Sequence, residues 1–190
     1  MSPKQHLLQA DPILAQLIPT TSPFDFESTK NVFHDLIGCI IEQQIHYRSK
    51  RNLYTKRLVQ AEITELTVDN FEQFEENGLV NLKLSLRKQE TLLRALDYFQ
   101  QHAIDWQQLS DTEVRAHLSE IKGIGKWTQD MILLFTLERP DIFPVDDFRL
   151  KKVMTKSYNL NSKSRLKAQL LECAKPWQPY SSLAVRYLLA

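Results

Sequence analysis

Two short stretches of this 190-residue chain combine residue types that can do chemistry together. The first runs Leu118-Ser-Glu-Ile-Lys-Gly-Ile-Gly-Lys-Trp127-Thr and holds two of the chain's four glycines within three residues. Gly123 and Gly125 permit backbone conformations closed to other residues, while Ile124 between them can plug a core. A tight hairpin that opens into a helix N-terminus leaves backbone N–H groups for an anion such as phosphate. An ordinary helix–helix connection would use the same glycines. The second stretch runs Arg139-Pro-Asp-Ile-Phe-Pro-Val-Asp-Asp147-Phe-Arg-Leu-Lys. It sets Asp146 and Asp147 behind a proline turn, at the start of a helical pattern. One such acid caps a helix and needs no chemistry; a pair lets one cap while the other works. The helix dipole and the first N–H groups favour the ionised form there. That suits a group that must stay anionic beside a developing positive charge. About ten helical residues separate the two stretches, a length that can bring the acids back near the hairpin.

The elements that must position these groups are helical almost throughout. Apolar residues recur at helical spacing in 31–45 (Val32, Phe33, Leu36, Ile37, Ile40, Ile41, Ile45), in 47–61 and in 84–99. Ser110-Asp-Thr-Glu113 reads as a capping box opening a helix through His117 or Leu118. Residues 128–137 form a strongly apolar segment expected at the centre, and 146–157, 163–173 and 181–189 complete the set. Leu79–Leu84 is the one candidate strand. Prolines 19, 23, 140, 144, 176 and 179 fall between helices as breakers. The expectation is one compact all-α domain over residues 1–190.

Composition excludes several classes. With 43% hydrophobic and 25% charged residues the chain is too apolar and too balanced to be disordered. No apolar run approaches the roughly 20 residues of a membrane helix, and no secretory signal is expected from MSPKQHLLQADP. Two cysteines, Cys39 and Cys173, build neither a disulfide framework nor an iron–sulfur site. The five histidines show no metal-ligand spacing. The net charge of +1 conceals an asymmetry: residues 145–190 hold nine Lys/Arg and three Asp/Glu, a net +6, and the remainder is −5. A second basic group is Arg48, Lys50, Arg51, Lys56 and Arg57. Separated signs can form one basic face for a polyanion, and solvated Lys-rich helices give the same count.

LSEIKGIGKWT followed by FPVDDFRLKK resembles the helix-hairpin-helix, Gly/Pro/Asp-type DNA glycosylases, and within them the alkylpurine branch typified by DNA-3-methyladenine glycosylase II. Further ordered matches carry the resemblance. These are Asp11-Pro-Ile-Leu-Ala-Gln-Leu-Ile18, the helix from Phe33 ending in Glu42-Gln43-Gln44-Ile, Leu84-Ser-Leu-Arg-Lys88, and Trp177-Gln-Pro-Tyr-Ser-Ser-Leu-Ala184. Together they span roughly residues 10–190, with the motif core at 118–152. The resemblance implies a short all-α enzyme, lacking an N-terminal β domain. It would flip alkylated purines out of double-stranded DNA and hydrolyse the N-glycosidic bond.

By the register of the resemblance, Asp147 is the catalytic anion, with Asp146 as the fallback and the better candidate for capping or orienting. Trp127 and Tyr180 match pocket aromatics, whose faces suit cationic bases, and Met131 matches another pocket position in register but is not aromatic. Gln44 matches the wedge that fills the gap left by the flipped nucleotide. Gly123, Gly125, Lys126 and Thr128 match phosphate contacts, with a monovalent cation on the hairpin carbonyls. Arg48, Arg51, Lys151 and Lys152 serve as electrostatic guides. Trp127 stands where glycosylase/lyases carry a nucleophilic Lys, so the expected enzyme is monofunctional. No cofactor, no membrane partner, a monomeric state and a location inside the cell with DNA are implied. Three positions depart from the pattern: His46, Lys83 in place of Gly, and Ser181 in place of Arg. The alternatives are a non-catalytic helix-hairpin-helix DNA binder and a glycosylase for oxidised or deaminated bases.

Overall fold

The computed structural model describes residues 1–24, 28–42, 52–80 and 82–190. Among these every regular element is helical. They are α1 (Pro3–Ala10), α2 (Pro12–Leu17), α3 (Val32–Glu42), α4 (Asn52–Gln60), α5 (Phe71–Gln73, continuing as a π-helical turn, Phe74–Gly78) and α6 (Leu86–Gln101). There follow α7 (Asp111–Glu120), α8 (Lys126–Met131, continuing as a π-helical turn, Ile132–Thr136), α9 (Phe148–Ser157), α10 (Leu166–Ala174, continuing as a 3-10 turn, Lys175–Trp177) and α11 (Ser181–Leu188). Leu79–Leu84 forms no strand among the described residues; the Leu82 N–H closes a turn onto the Leu79 carbonyl.

The helices begin where local chemistry says they should. Ser110 and Glu113 form the expected capping box: the Ser110 N–H donates to Glu113 Oε2 at 2.8 Å and the Glu113 N–H to Ser110 Oγ at 3.3 Å. The Ser110 hydroxyl, which donates to the same Glu113 oxygen at 2.6 Å, and the Ser110 N–H hold the Glu113 carboxyl below its ordinary value. Ser2 makes a second box with Gln5. Asp11 caps α2, its Oδ1 accepting the N–H groups of Ile13 and Leu14 at 2.8 and 3.0 Å, with Pro12 at the first helical position.

The chain divides into two compact units, Ser28–Ile132 and the combination of Met1–Glu27 with Leu133–Ala190. In the first, α3 packs on α4, α6 and α8. Its stripe of Phe33, Leu36, Ile37, Ile40 and Ile41 is fully buried. Each such side chain contributes about 1.5–3 kcal/mol of burial. Tyr54 pins α4 to α3 by donating its hydroxyl to the His34 carbonyl at 2.9 Å. In the second unit α11 packs on α1, α2 and α9, and α10 packs on α9. Its centre is Trp177, 0% exposed. The indole N–H of Trp177 and the Tyr158 hydroxyl both donate to Asp11 Oδ2, at 2.7 and 2.8 Å. One buried carboxylate therefore caps α2 and ties together residues from three parts of the chain. Burial and the Asp11 charge push the Tyr158 hydroxyl well above its ordinary value.

Candidate active site

The hairpin lies in the unit 28–132. α7 ends at Glu120, Ile121 is extended, and the Ile124 N–H donates back to the Ile121 carbonyl at 3.0 Å. Ile121 and Ile124 are both buried, anchoring the turn from inside. Gly123 has φ +113, and a Cβ there would lie 2.4 Å from Thr91 Oγ1. Conformation and contact both demand glycine at this position. Gly125 is different: it has φ −97, and a Cβ on it would meet nothing within 4 Å. No internal packing requires a glycine there, and its backbone presents an open surface to an approaching ligand.

α8 starts on Gly125 without a side-chain cap. Lys126 and Asp130, four residues apart, pair at 3.0 Å, and Arg115 of α7 reaches the same carboxylate at 2.7 Å. Asp130 is 0% exposed. Gln129 Nε2 donates to Ser119 Oγ at 3.0 Å. These contacts set α7 against α8 and so hold the hairpin open. They also draw the Lys126 ammonium onto Asp130, although it stays half-exposed. Thr128 and Met131 are buried, and Trp127 is half-buried at the first turn of α8. Lys88 donates its ammonium to the Ile41 carbonyl in the last turn of α3 at 2.8 Å, and burial lowers its proton affinity. Gln44, the wedge candidate, lies outside the described residues, as do His46, Arg48 and Arg51.

The acids lie in the other unit. The turn closes by Val145 N–H to the Phe143 carbonyl and Asp147 N–H to the Pro144 carbonyl, both 2.8 Å. Asp147 is the residue that caps α9: its backbone is extended and its Oδ1 accepts the Leu150 N–H at 2.7 Å. The capping role expected of Asp146 therefore belongs to Asp147. The physical reason is register, since a cap must reach the N–H three residues on. Asp146 instead pairs with Lys167 at 3.1 Å and Lys151 at 3.7 Å. Asp147 is 8% exposed.

Tyr180, in the same unit, stands immediately before α11 and is half-buried, edge-on to the His6 ring at 5.3 Å. It lines a cavity of about 200 Å³ with Leu134, Phe135, Arg139 and Arg186. Ser181 does not leave a gap where the family pattern has Arg. It is 3% exposed and donates its hydroxyl to Asp141. Of the expected site residues, Gly123, Gly125, Lys126, Trp127, Thr128 and Met131 thus belong to one unit, and Asp146, Asp147 and Tyr180 to the other. Sequence reasoning missed Asp130 and Arg115, which set the hairpin, and Asp141, which holds the approach to the acids. The four-residue spacing of Lys126 and Asp130 was the available signal. Among the described residues no cluster of three or more His, Cys, Asp or Glu is placed to hold a metal ion.

No family model matches the chain. It is 28% identical over 168 residues to Bacillus subtilis YfjP, provisionally named a DNA-3-methyladenine glycosylase, covering 83% of this chain and 58% of that protein. This chain thus spans little more than half the length of that relative. Schizosaccharomyces pombe DNA-3-methyladenine glycosylase 1 is 27% identical over 168 residues, covering 77% of this chain and 71% of that protein. The crystal structure of a DNA-3-methyladenine glycosidase from Bacillus halodurans superimposes with a TM-score of 0.76 at 26% identity, over 99% of this chain and 88% of that one. The S. pombe 3-methyladenine DNA glycosylase Mag1, solved with abasic DNA, shares the fold with a TM-score of 0.82 at 22% identity, over 100% of this chain and 95% of that one. The chain has the all-helical fold of the helix-hairpin-helix DNA glycosylases, and its relatives in sequence and in structure are 3-methyladenine DNA glycosylases.

Proposed function

We propose that this chain is a monofunctional DNA glycosylase that extrudes alkylated purines of the 3-methyladenine and 7-methylguanine type from duplex DNA and hydrolyses their N-glycosidic bond. The observation that carries this reading is Asp147, a buried carboxylate held in one orientation at the start of α9 by the Leu150 N–H. An N3- or N7-methyl purine is cationic and leaves as a neutral base, so the reaction needs little acid. It needs an anion beside the oxocarbenium-like sugar and a placed water. The C1′–N bond breaks with its electrons going to the base, water adds to C1′, and the proton of that water is released. Asp147 stabilises the cationic sugar and orients the water. We assign contacts with the base to Trp127, Met131 and Tyr180, each by its match to the family pattern, and the filling of the gap in the duplex to Gln44. Trp127 has no amine with which to form a Schiff base, so no strand cleavage accompanies base release.

Gly123 and Gly125 let a DNA phosphate approach the hairpin backbone. Lys126 and Thr128 contribute through their N–H groups, since one side chain is drawn onto Asp130 and the other is buried. The Ile121 carbonyl accepts one hydrogen bond and keeps a second lone pair for a monovalent cation. We assign the chain no other cofactor, and we place it as a monomer that acts on DNA inside the cell with residues 1–190 working as one domain. The test is release of 3-methyladenine and 7-methylguanine from methylated duplex DNA. DNA binding without release of either base selects the non-catalytic binder. Release of oxidised or deaminated bases instead moves the substrate class. A covalent complex trapped by borohydride contradicts the monofunctional assignment.

A further inference from the structure

The segment that leads to Asp147 is tied at several points to the first two residues of α11. Ser182 Oγ donates to the Arg139 carbonyl and accepts the Ile142 N–H at 2.9 Å, and the Ser182 N–H donates to the Pro140 carbonyl at 3.0 Å. Ser181 turns inward on the other side of the same joint. Its hydroxyl and its N–H both point at Asp141 Oδ1, the N–H at 3.3 Å. Ser181 is 3% exposed and Ser182 7%. The residue immediately before this pair is Tyr180, and the residues immediately after the tied segment are Phe143 to Asp147. Beyond Asp141 the chain is held by Phe143, edge-on to Trp177 at 5.6 Å, and by the two turn bonds at Pro144 and Asp147.

Ser182 makes bonds only to backbone, as a fold-stabilising residue does. Asp141 is different, because its carboxylate takes both the hydroxyl and the N–H of Ser181, the first residue of α11, and so ties the start of that helix to the start of the turn. We infer that Ser181 and Asp141 are positioning residues for excision: their pair fixes the spacing between the Tyr180 ring and the Asp147 carboxylate. This inference rests on the glycosylase reading above. A displacement of about 1 Å in a reacting group can cost on the order of a hundredfold in rate. A pair that sets this spacing therefore acts on the chemical step and leaves binding of the DNA backbone alone.

The experiment measures single-turnover release of 7-methylguanine and the Kd for duplex DNA carrying an abasic analogue, with Tm followed alongside. Ser181→Ala and Asp141→Ala should lower the single-turnover rate by about tenfold or more, with Kd within about twofold of wild type. Asp141→Asn keeps an acceptor for the Ser181 hydroxyl and should restore most of the rate. Asp141→Glu keeps both charge and hydrogen bond but is longer by about 1.5 Å. It should slow release while the protein stays as stable as wild type, a result that a purely structural pair does not produce. Should Ser181→Ala fail to fold, Asp141→Glu decides alone. Wild-type rates in folded Ser181→Ala or Asp141→Glu overturn the inference, as does a rate loss matched by an equal loss of Tm and of DNA affinity. A wild-type protein that releases no alkylated base sinks the glycosylase reading and this inference with it; an active wild type with insensitive variants sinks this inference alone.

Discussion

Asp147→Asn separates a catalytic carboxylate from a helix cap. In the structure Asp147 Oδ1 accepts the Leu150 N–H at 2.7 Å. The amide oxygen of Asn accepts the same bond, and Asn and Asp are near-equal N-caps. What is lost is the negative charge at the N-terminus of α9, worth about 0.3–1 kcal/mol to the helix. At roughly 2–4 °C per kcal/mol for a chain of this size, Tm should fall by about 4 °C or less. Asp147→Ala also loses the cap, about 0.5–2 kcal/mol, and should be the less stable of the two. Catalysis should order them differently. Removal of an oriented electrostatic stabiliser costs about a hundred- to a thousandfold, so both variants should lose at least about a hundredfold in single-turnover release of 7-methylguanine. Affinity for abasic-analogue DNA should be retained by Asp147→Asn. An Asn variant within about threefold of wild type, with the Ala variant reduced in step with its Tm, would refute the reasoning and leave Asp147 as a cap. Loss of activity in Asp146→Asn alone would move the catalytic role to its neighbour.

The two hairpin glycines should respond in opposite ways. Gly123→Ala meets Thr91 at 2.4 Å and a φ of +113, so it should destabilise by more than about 1 kcal/mol in denaturant melts. Gly125→Ala, with open space around it, should leave stability within about 1 kcal/mol while weakening DNA binding; unchanged affinity would mean that no phosphate approaches there. Asp130→Ala removes the shared partner of Arg115 and Lys126, both partly exposed, and should cost about 1–2 kcal/mol after allowance for solvent screening. Protection of α7 and α8 in hydrogen exchange should fall with it. Tyr158 donates to Asp11 and so must stay protonated in the folded state. Its folded value lies above the ordinary 10.0, so this contribution is complete below that pH and declines as pH rises above it. Tm measured between pH 8 and 11 should show an alkaline decline that Tyr158→Phe reduces; an identical decline in the variant would assign it to other groups.

The helices were legible because their signals are local. The Ser110–Glu113 box, the stripe from Val32 to Ile41 and the prolines at helix boundaries all act within a turn or two of the chain. α1 and α2 went unread although Ser2 and Asp11 each precede a proline at the first helical position, because both helices are short and weakly periodic. The candidate strand at Leu79–Leu84 misled because short apolar runs carry no decisive period. The acid pair was read correctly as a helix start, and which acid caps it depended on a one-residue register that only the backbone resolves.

Residue order alone determined the all-helical class, the glycine hairpin and the acid turn, and the likeness of both to one family of DNA enzymes. These are properties of neighbours in sequence. Tertiary structure decided which charges are committed. Asp130 holds Arg115 and Lys126, Asp146 holds Lys151 and Lys167, Asp11 holds Trp177 and Tyr158, and Asp141 holds Ser181. Most of those pairs join residues many positions apart. A carboxylate's role depends on the partners that folding brings within hydrogen-bond range, and residue spacing does not encode that for distant segments.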